Sequence, residues 1–209
     1  LSGLNVIIDD NDHPLIIKVA SIQALRTQVF FILNEDFFRN HLNTRDSAGN
    51  EYPDNDERTI FFARSVLETV KKQSWYPDVI HCHGWIGALT GLYIKTFYKD
   101  EPAFRNTKFV YSLYDDAFAA SFPENYLKKV IIKNMEEVDF SDIATPVTYQ
   151  ELSKIAIRWS DGVIQNSENT DPALIEYARS LGKPILEYKT GKEYADACSD
   201  FYNQLYNQD

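Results

Sequence analysis

The sequence predicts an α/β fold: a Rossmann-like, mostly parallel sheet flanked by helices, with an antiparallel strand group near the N-terminus. Three observations lead there. From Asp56 onward, short apolar runs alternate with longer segments that keep helical spacing, the pattern of βαβ units. The first third reads instead as successive β-branched runs parted by turn residues. Neither part contains an internal repeat or a low-complexity segment. The expected organisation is one domain over residues 1–209, strand-rich in 1–55 and alternating helix and strand in 56–209.

Residues 4–8 and 15–21 are the first two strands, separated by Asp9-Asp10-Asn11-Asp12-His13-Pro14. Those carboxylates invite a calcium reading, but a calcium loop needs a Gly for its sharp turn and a distant Glu, so a hairpin turn is expected. A third strand covers 28–33, and the polar stretch 40–55 is a surface loop. Ile60, Ala63, Val66, Leu67 and Val70 keep helical spacing, with the helix ending near Trp75 before Pro77. A short buried strand at 78–83, a helix at 85–98 and a strand at 108–113 follow. Residues 121–138 form an irregular helical excursion, 150–159 a helix, and 162–165 a strand. A helix at 172–181 is stopped by Gly182, a strand spans 184–188, and a last helix spans 192–206.

Composition removes several classes of function. The balance of 44% hydrophobic and 25% charged residues is that of a soluble globular protein. No apolar run approaches the roughly 20 residues of a membrane helix. The formal charge is −10, from 31 acidic and 21 basic residues, and the densest basic cluster, Lys128-Lys129 with Lys133, fits one face of a helix. A nucleic-acid partner is therefore not expected. Cys82 and Cys198 lie far apart without paired spacing, which indicates neither a disulfide scaffold nor a cysteine zinc site and fits a reducing cytoplasm. The chain starts at Leu1 with no signal pattern, and is expected to be a piece of a longer reading frame.

Ligands of open α/β sheets bind beyond the carboxyl ends of the strands, and two stretches lie there. The first is His81-Cys82-His83-Gly84-Trp85-Ile86-Gly87. Strand alternation puts His81 and His83 on one face and Cys82 on the other. Two histidines could hold a metal, but a catalytic zinc takes three protein ligands and spacing supplies no third. The plainer expectation is a partly buried His81 and a His83 at the mouth. Gly84, Gly87 and Gly91 either bring backbone close to a phosphate or sugar hydroxyl or permit tight packing on the sheet. The second stretch runs from Phe109 into Tyr114-Asp115-Asp116. Its paired carboxylates could act as acid and base, bind magnesium, or cap a following helix. Gly-rich phosphate loops and a nucleophile elbow are absent, and Lys189-Thr190-Gly191-Lys192 reads as a linker.

Residues 76–89, YPDVIHCHGWIGAL, resemble the segment P-D-[VI]-[VI]-H-x-H-D-W-H-[TA]-x-L of bacterial glycogen synthases and plant starch synthases. Other stretches agree in order. Residues 29–33 resemble the strand before the family's acidic loop, and Asp54, Asn55 and Arg58 with Phe61 and Phe62 resemble its D-N-x-x-R-F. Residues 108–114 fall where the family has a strand ending in V-H-N, and 160–167 where it has A-D-x-[IV]-T-x-V-S. The resemblance covers most of residues 1–170. It implies the N-terminal, acceptor-side half of a two-Rossmann glycosyltransferase. That family transfers glucose from ADP-glucose to an α-1,4-glucan with retention, without a metal or other cofactor.

By this resemblance His83, Gly84 and Trp85 line the sugar pocket, Asp54 and Asn55 lie beside it, and Asp115 joins them. Gly84 stands where the family has Asp, Ile86 where it has its later His, and Ser112 where it has the strand-end His. The family's K-x-G-G nucleotide loop belongs to a strand ahead of Leu1, and the lysine motif at 189 falls at the wrong end to replace it. This segment alone is expected to lack glucosyl transfer, so no catalytic residue is assigned. The other readings are a non-catalytic glucan- or nucleotide-sugar-binding or scaffolding module, and a receiver-like domain using Asp115-Asp116. Trp85, Tyr114 and Phe118 around an open cleft would favour sugar binding, whereas a cleft filled by them would favour a scaffold. An exposed sheet edge is expected to promote homo-oligomers.

Overall fold

Two sheets organise the protein in a computed structural model that describes residues 3–38 and 44–208. Part of the expected 40–55 loop, residues 40–43, lies outside the described residues. The first sheet is antiparallel, in the order β1 (Leu4–Ile8), β2 (Asn11–Ile22), β3 (Thr27–Leu33). Its first turn is shorter than the expected hexamer. Ile8 pairs with Asn11, leaving Asp9 and Asp10 as a two-residue turn with φ of 48° and 64°. Positive φ at both centre residues is the hairpin geometry that matches strand twist, and Asp tolerates it. Val6, Ile8, Leu15 and Ile17 point into the core while Ile7 faces out, the period-two pattern of a half-buried sheet.

The second sheet is parallel, in the order β4 (Val79–His83), β5 (Lys108–Leu113), β6 (Gly162–Gln165), β7 (Ile185–Leu186). Helix α1 (Asn55–Lys72) leads into it with an apolar face of Ile60, Phe61, Ala63 and Leu67, and ends as Ser74 takes a φ of 50°. The helices that follow are α2 (Thr90–Lys95), α3 (Tyr126–Val130), α4 (Tyr149–Arg158), α5 (Pro172–Ser180) and α6 (Lys192–Tyr206). Local chemistry sets several starts. The Thr148 hydroxyl accepts from the Glu151 N–H at α4, and the Asp171 carboxylate accepts from the Ala173 N–H at α5, whose first residue is Pro172.

Three elements differ from expectation. The helix expected over 85–98 breaks into a 3₁₀ turn, Trp85–Gly87, and α2. Glycine backbone packs closely here: a Cβ on Gly87 would lie 2.9 Å from Cys82 Cβ, and one on Gly91 would overlap the Phe109 ring. The excursion at 121–138 condenses to α3 plus turns, and the strand expected over 184–188 pairs only at Ile185 and Leu186.

Both faces of the parallel sheet are covered, so β5 is a continuous apolar run rather than an alternating one. One face of β5, with Phe109, Tyr111 and Leu113, joins the main core. The other is roofed by α6, whose Cys198, Phe201 and Leu205 pack on Val110 and Ile164. Among the described residues β4 pairs only with β5 and β3 only with β2, which leaves one backbone edge of each unpaired. A groove of about 840 Å³ lies between β3 and α1, lined by Phe30, Ile32, Phe62, Val66 and Trp75. Ile86, just after the His81–Trp85 stretch, lines it as well.

Candidate functional site

The register His83 opposite Ser112, and Leu113 opposite Gln165, brings the carboxyl ends of β4, β5 and β6 side by side. Alternation along β4 works as expected. Val79, His81 and His83 share the face that α6 covers, while Cys82 is buried on the other, where burial pushes its thiol up to about 11. The His81 and His83 rings stack with centroids 3.9 Å apart and planes at 30°. His81 is clamped from both sides, Nδ1 lying 2.5 Å from the Tyr202 hydroxyl and Nε2 2.6 Å from the Ser112 hydroxyl. Burial, with the His83 ring adding to it, pulls His81 down to about 3, so it is neutral at physiological pH.

His83 is exposed at the mouth, and its Nδ1 lies 2.7 Å from the Tyr114 hydroxyl. That hydroxyl also accepts a hydrogen bond from Asn166 Nδ2, which donates a second one to the Tyr194 hydroxyl at 3.1 Å. An amide nitrogen can only donate, so the Tyr114 proton is left for His83 Nδ1. Burial lowers the His83 pKa, which favours the neutral ring, and with the Tyr114 proton on Nδ1 the ring's own proton sits on Nε2. In that tautomer the Asn166–Tyr114–His83 chain presents an N–H donor at the edge of the sheet.

Beside it, Gly84 takes φ 75° and ψ 173°, a region that is essentially glycine-only. A Cβ there would lie 2.7 Å from Asp116 Oδ2. The Trp85 N–H points to the same oxygen at 3.4 Å, and the Tyr149 hydroxyl lies 3.0 Å from Asp116 Oδ1. Burial raises the Asp116 pKa, while Asp115 is exposed. Trp85 is buried with Phe118 against it (centroids 4.9 Å), and Phe118 stacks on Phe122 at 4.6 Å. Both rings fill the interior, and Tyr114 alone of the three aromatics reaches the mouth.

The remaining expected residues are placed as follows. Ser112 lies inside β5, fully buried, with its hydroxyl on His81, so it is a structural bridge. The strand-end position belongs to Tyr114, because β5 runs to Leu113. Asp54 and Asn55 open α1 as a separate group. Asp54 holds Arg58 Nε at 2.8 Å, Arg58 lies over the Tyr52 ring at 4.2 Å, and Asn55 Nδ2 donates to the Thr44 carbonyl at 3.0 Å. Among the described residues no hydrogen bond joins Asp54 or Asn55 to His83. The Glu51 carboxylate ties this region to the post-Asp116 segment by accepting from the Ala119 and Ala120 N–H groups at 2.9 and 3.2 Å. Residues 189–192 follow β7, which is parallel to β6, and Tyr194, just beyond, touches Asn166. Sequence reasoning missed Asn166, Tyr194 and Tyr202. The available signal was the spacing of Tyr194, Cys198 and Tyr202, which is one stripe of a helix.

Histidine, tyrosine, asparagine and carboxylate side chains gather at the carboxyl edge of a Rossmann-like sheet, and comparison with known proteins makes the family explicit. Residues 4–180 match the model of the starch synthase catalytic domain, and the chain belongs to that family. It is 30% identical over 209 residues to the glycogen synthase of Chlorobaculum tepidum, covering 99% of this chain and 40% of that protein. The glycogen synthase of Chlorobium chlorochromatii is 33% identical over 132 residues, 63% of this chain and 27% of its own length. That of Elusimicrobium minutum is 41% identical over 95 residues, 46% of this chain and 20% of its own length. The chain thus spans well under half of these relatives. The catalytic domain of starch synthase IV from Arabidopsis thaliana, bound to ADP and acarbose, shares the fold with a TM-score of 0.65 at 17% identity, over 90% of this chain and 39% of that one. Helix α6 and its tyrosines lie beyond the residues that the family model matches.

Proposed function

We propose that this chain is the acceptor-side half of a glucosyltransferase, holding an α-1,4-glucan at the His83 mouth while glucose arrives from ADP-glucose. The observation that carries the reading is the exposed His83 at the carboxyl edge of the sheet, held at Nδ1 by Tyr114, which Asn166 holds in turn. A directed donor beside an exposed edge suits a sugar hydroxyl, and starch synthase IV holding ADP and acarbose supports the same ligand classes. Alone, this segment performs no transfer. ADP release from ADP-glucose and glycogen, above that of a Ser112→Ala control, would contradict this.

A second reading, a non-catalytic scaffold, is favoured by one observation: Trp85 and Phe118 fill the space an open aromatic cleft would need. Titrating the protein with maltohexaose separates the two, because a scaffold gives no heat. Cys82 and Cys198, both buried as free thiols, support a cytoplasmic setting. No described helix is long and apolar enough to cross a membrane. The unpaired β4 edge supports self-association through strand pairing.

A further inference from the structure

We propose that Asp116 is the acidic recognition group of the site, occupying the space that Gly84 leaves open and accepting a hydrogen bond from a pyranose hydroxyl. The inference rests on the sugar-binding reading above and adds to it the residue that supplies the negative pole. Geometry supports it first. The carboxylate lies against the Gly84 backbone, with Oδ2 only 2.7 Å from where a side chain at 84 would begin. Any larger residue at 84 would displace it, so the glycine and the carboxylate form one arrangement. In the resembling motif the position of Gly84 carries an Asp. Here a carboxylate reaches the same place from the neighbouring strand end.

Hydrogen-bond counting supports it second. Tyr149 has one hydroxyl proton and two acceptors within 3.0 Å, Asp116 Oδ1 and the Tyr114 carbonyl. The Trp85 N–H stands 3.4 Å from Oδ2, a long bond. Its own backbone N–H is the third donor, and burial, the leading influence, still leaves the pKa of this half-buried carboxylate raised. An amide would satisfy the site better. Its nitrogen could donate to the Tyr149 oxygen, freeing the Tyr149 proton for the Tyr114 carbonyl, and its oxygen could take the Trp85 N–H. A carboxylate that the fold itself does not favour is what a donor-bearing ligand would use. His83 precedes Gly84 in the chain, and its Nε2–H in the tautomer above would give the mouth one donor beside this acceptor, the complement of adjacent sugar hydroxyls.

The test is Asp116→Asn, with Asp115→Asn beside it, read by calorimetric binding of maltohexaose and of ADP-glucose and by thermal unfolding. The expected result is at least a tenfold loss of affinity in Asp116→Asn, a smaller loss in Asp115→Asn, and a melting temperature equal to or above wild type. The loss falls in the maltohexaose arm if the hydroxyl belongs to the glucan, and in the ADP-glucose arm if it belongs to the donor sugar. Unchanged affinity in both arms overturns the inference. So does lost affinity together with lower thermal stability, which would make the carboxylate structural. If wild type binds neither sugar, the sugar-binding reading itself fails and takes this inference with it.

Discussion

Acidification tests the clamp on His81 directly. With its pKa at about 3 in the fold and 6.5 when unfolded, the unfolded chain takes up a proton between these values that the folded chain does not. Stability therefore falls as pH drops through 6.5 and continues to fall towards 3. At pH 5 the loss from this one residue is about 2 kcal/mol relative to pH 7. For a domain of this size that lowers Tm by about 4–8 °C. His81→Gln isolates the effect. Its amide can still bridge the Tyr202 and Ser112 hydroxyls, which hold the imidazole at 2.5 and 2.6 Å, but has nothing to titrate. Urea unfolding at pH 7 and pH 5 should show wild type losing about 2 kcal/mol more than the variant. Equal losses in the two proteins would refute the buried, neutral His81 described above. Other titrating groups, His83 among them, remain in both proteins and largely cancel.

Three further outcomes follow from the same structure. Tyr114→Phe removes the proton that fixes His83, so nitrogen-15 spectra should move from a pure Nε2–H form to a mixture, with maltohexaose affinity down several-fold; an unchanged spectrum counts against the relay. Gly91→Ala drives a Cβ into the Phe109 ring and to within 2.8 Å of the Trp159 carbonyl, and should cost about 1–3 kcal/mol in chemical denaturation. Light scattering at high concentration should show self-association through the open β4 edge, and a clean monomer argues against that edge as a contact.

Much of the architecture was legible because burial writes a period into the chain. The alternation at Val6 and Ile8, the helical spacing from Ile60 to Val70, and the apolar run through Phe109 all reappear as drawn. Errors fell where a single contact outweighs the period. The helix that spacing alone extended to Tyr98 breaks at Ala88 and Leu89 and stops at Lys95, where glycine backbone packs on Cys82 and Phe109. In the site, strand alternation correctly paired His81 with His83. Which side chain reaches the mouth depends on where the ladder stops: Ser112 is buried inside β5, and Tyr114, just past its end, meets His83. The partner of His81 lies 121 residues away on α6, and no local pattern connects Tyr202 to it. Trp85 looked like a stacking platform from its motif, but its exposure is set by Phe118 and Phe122, which fold over it.

The family shows what the full-length relatives are, and the site proposed here concerns what this half can hold by itself. The most direct measurement is a calorimetric titration of wild-type protein with maltohexaose, ADP-glucose and ADP in parallel. The account predicts saturable heat with maltohexaose, from a ligand hydroxyl meeting the His83 Nε2–H. No heat with the oligosaccharide, from protein that unfolds cooperatively and is therefore intact, would contradict it and leave the scaffold reading in its place.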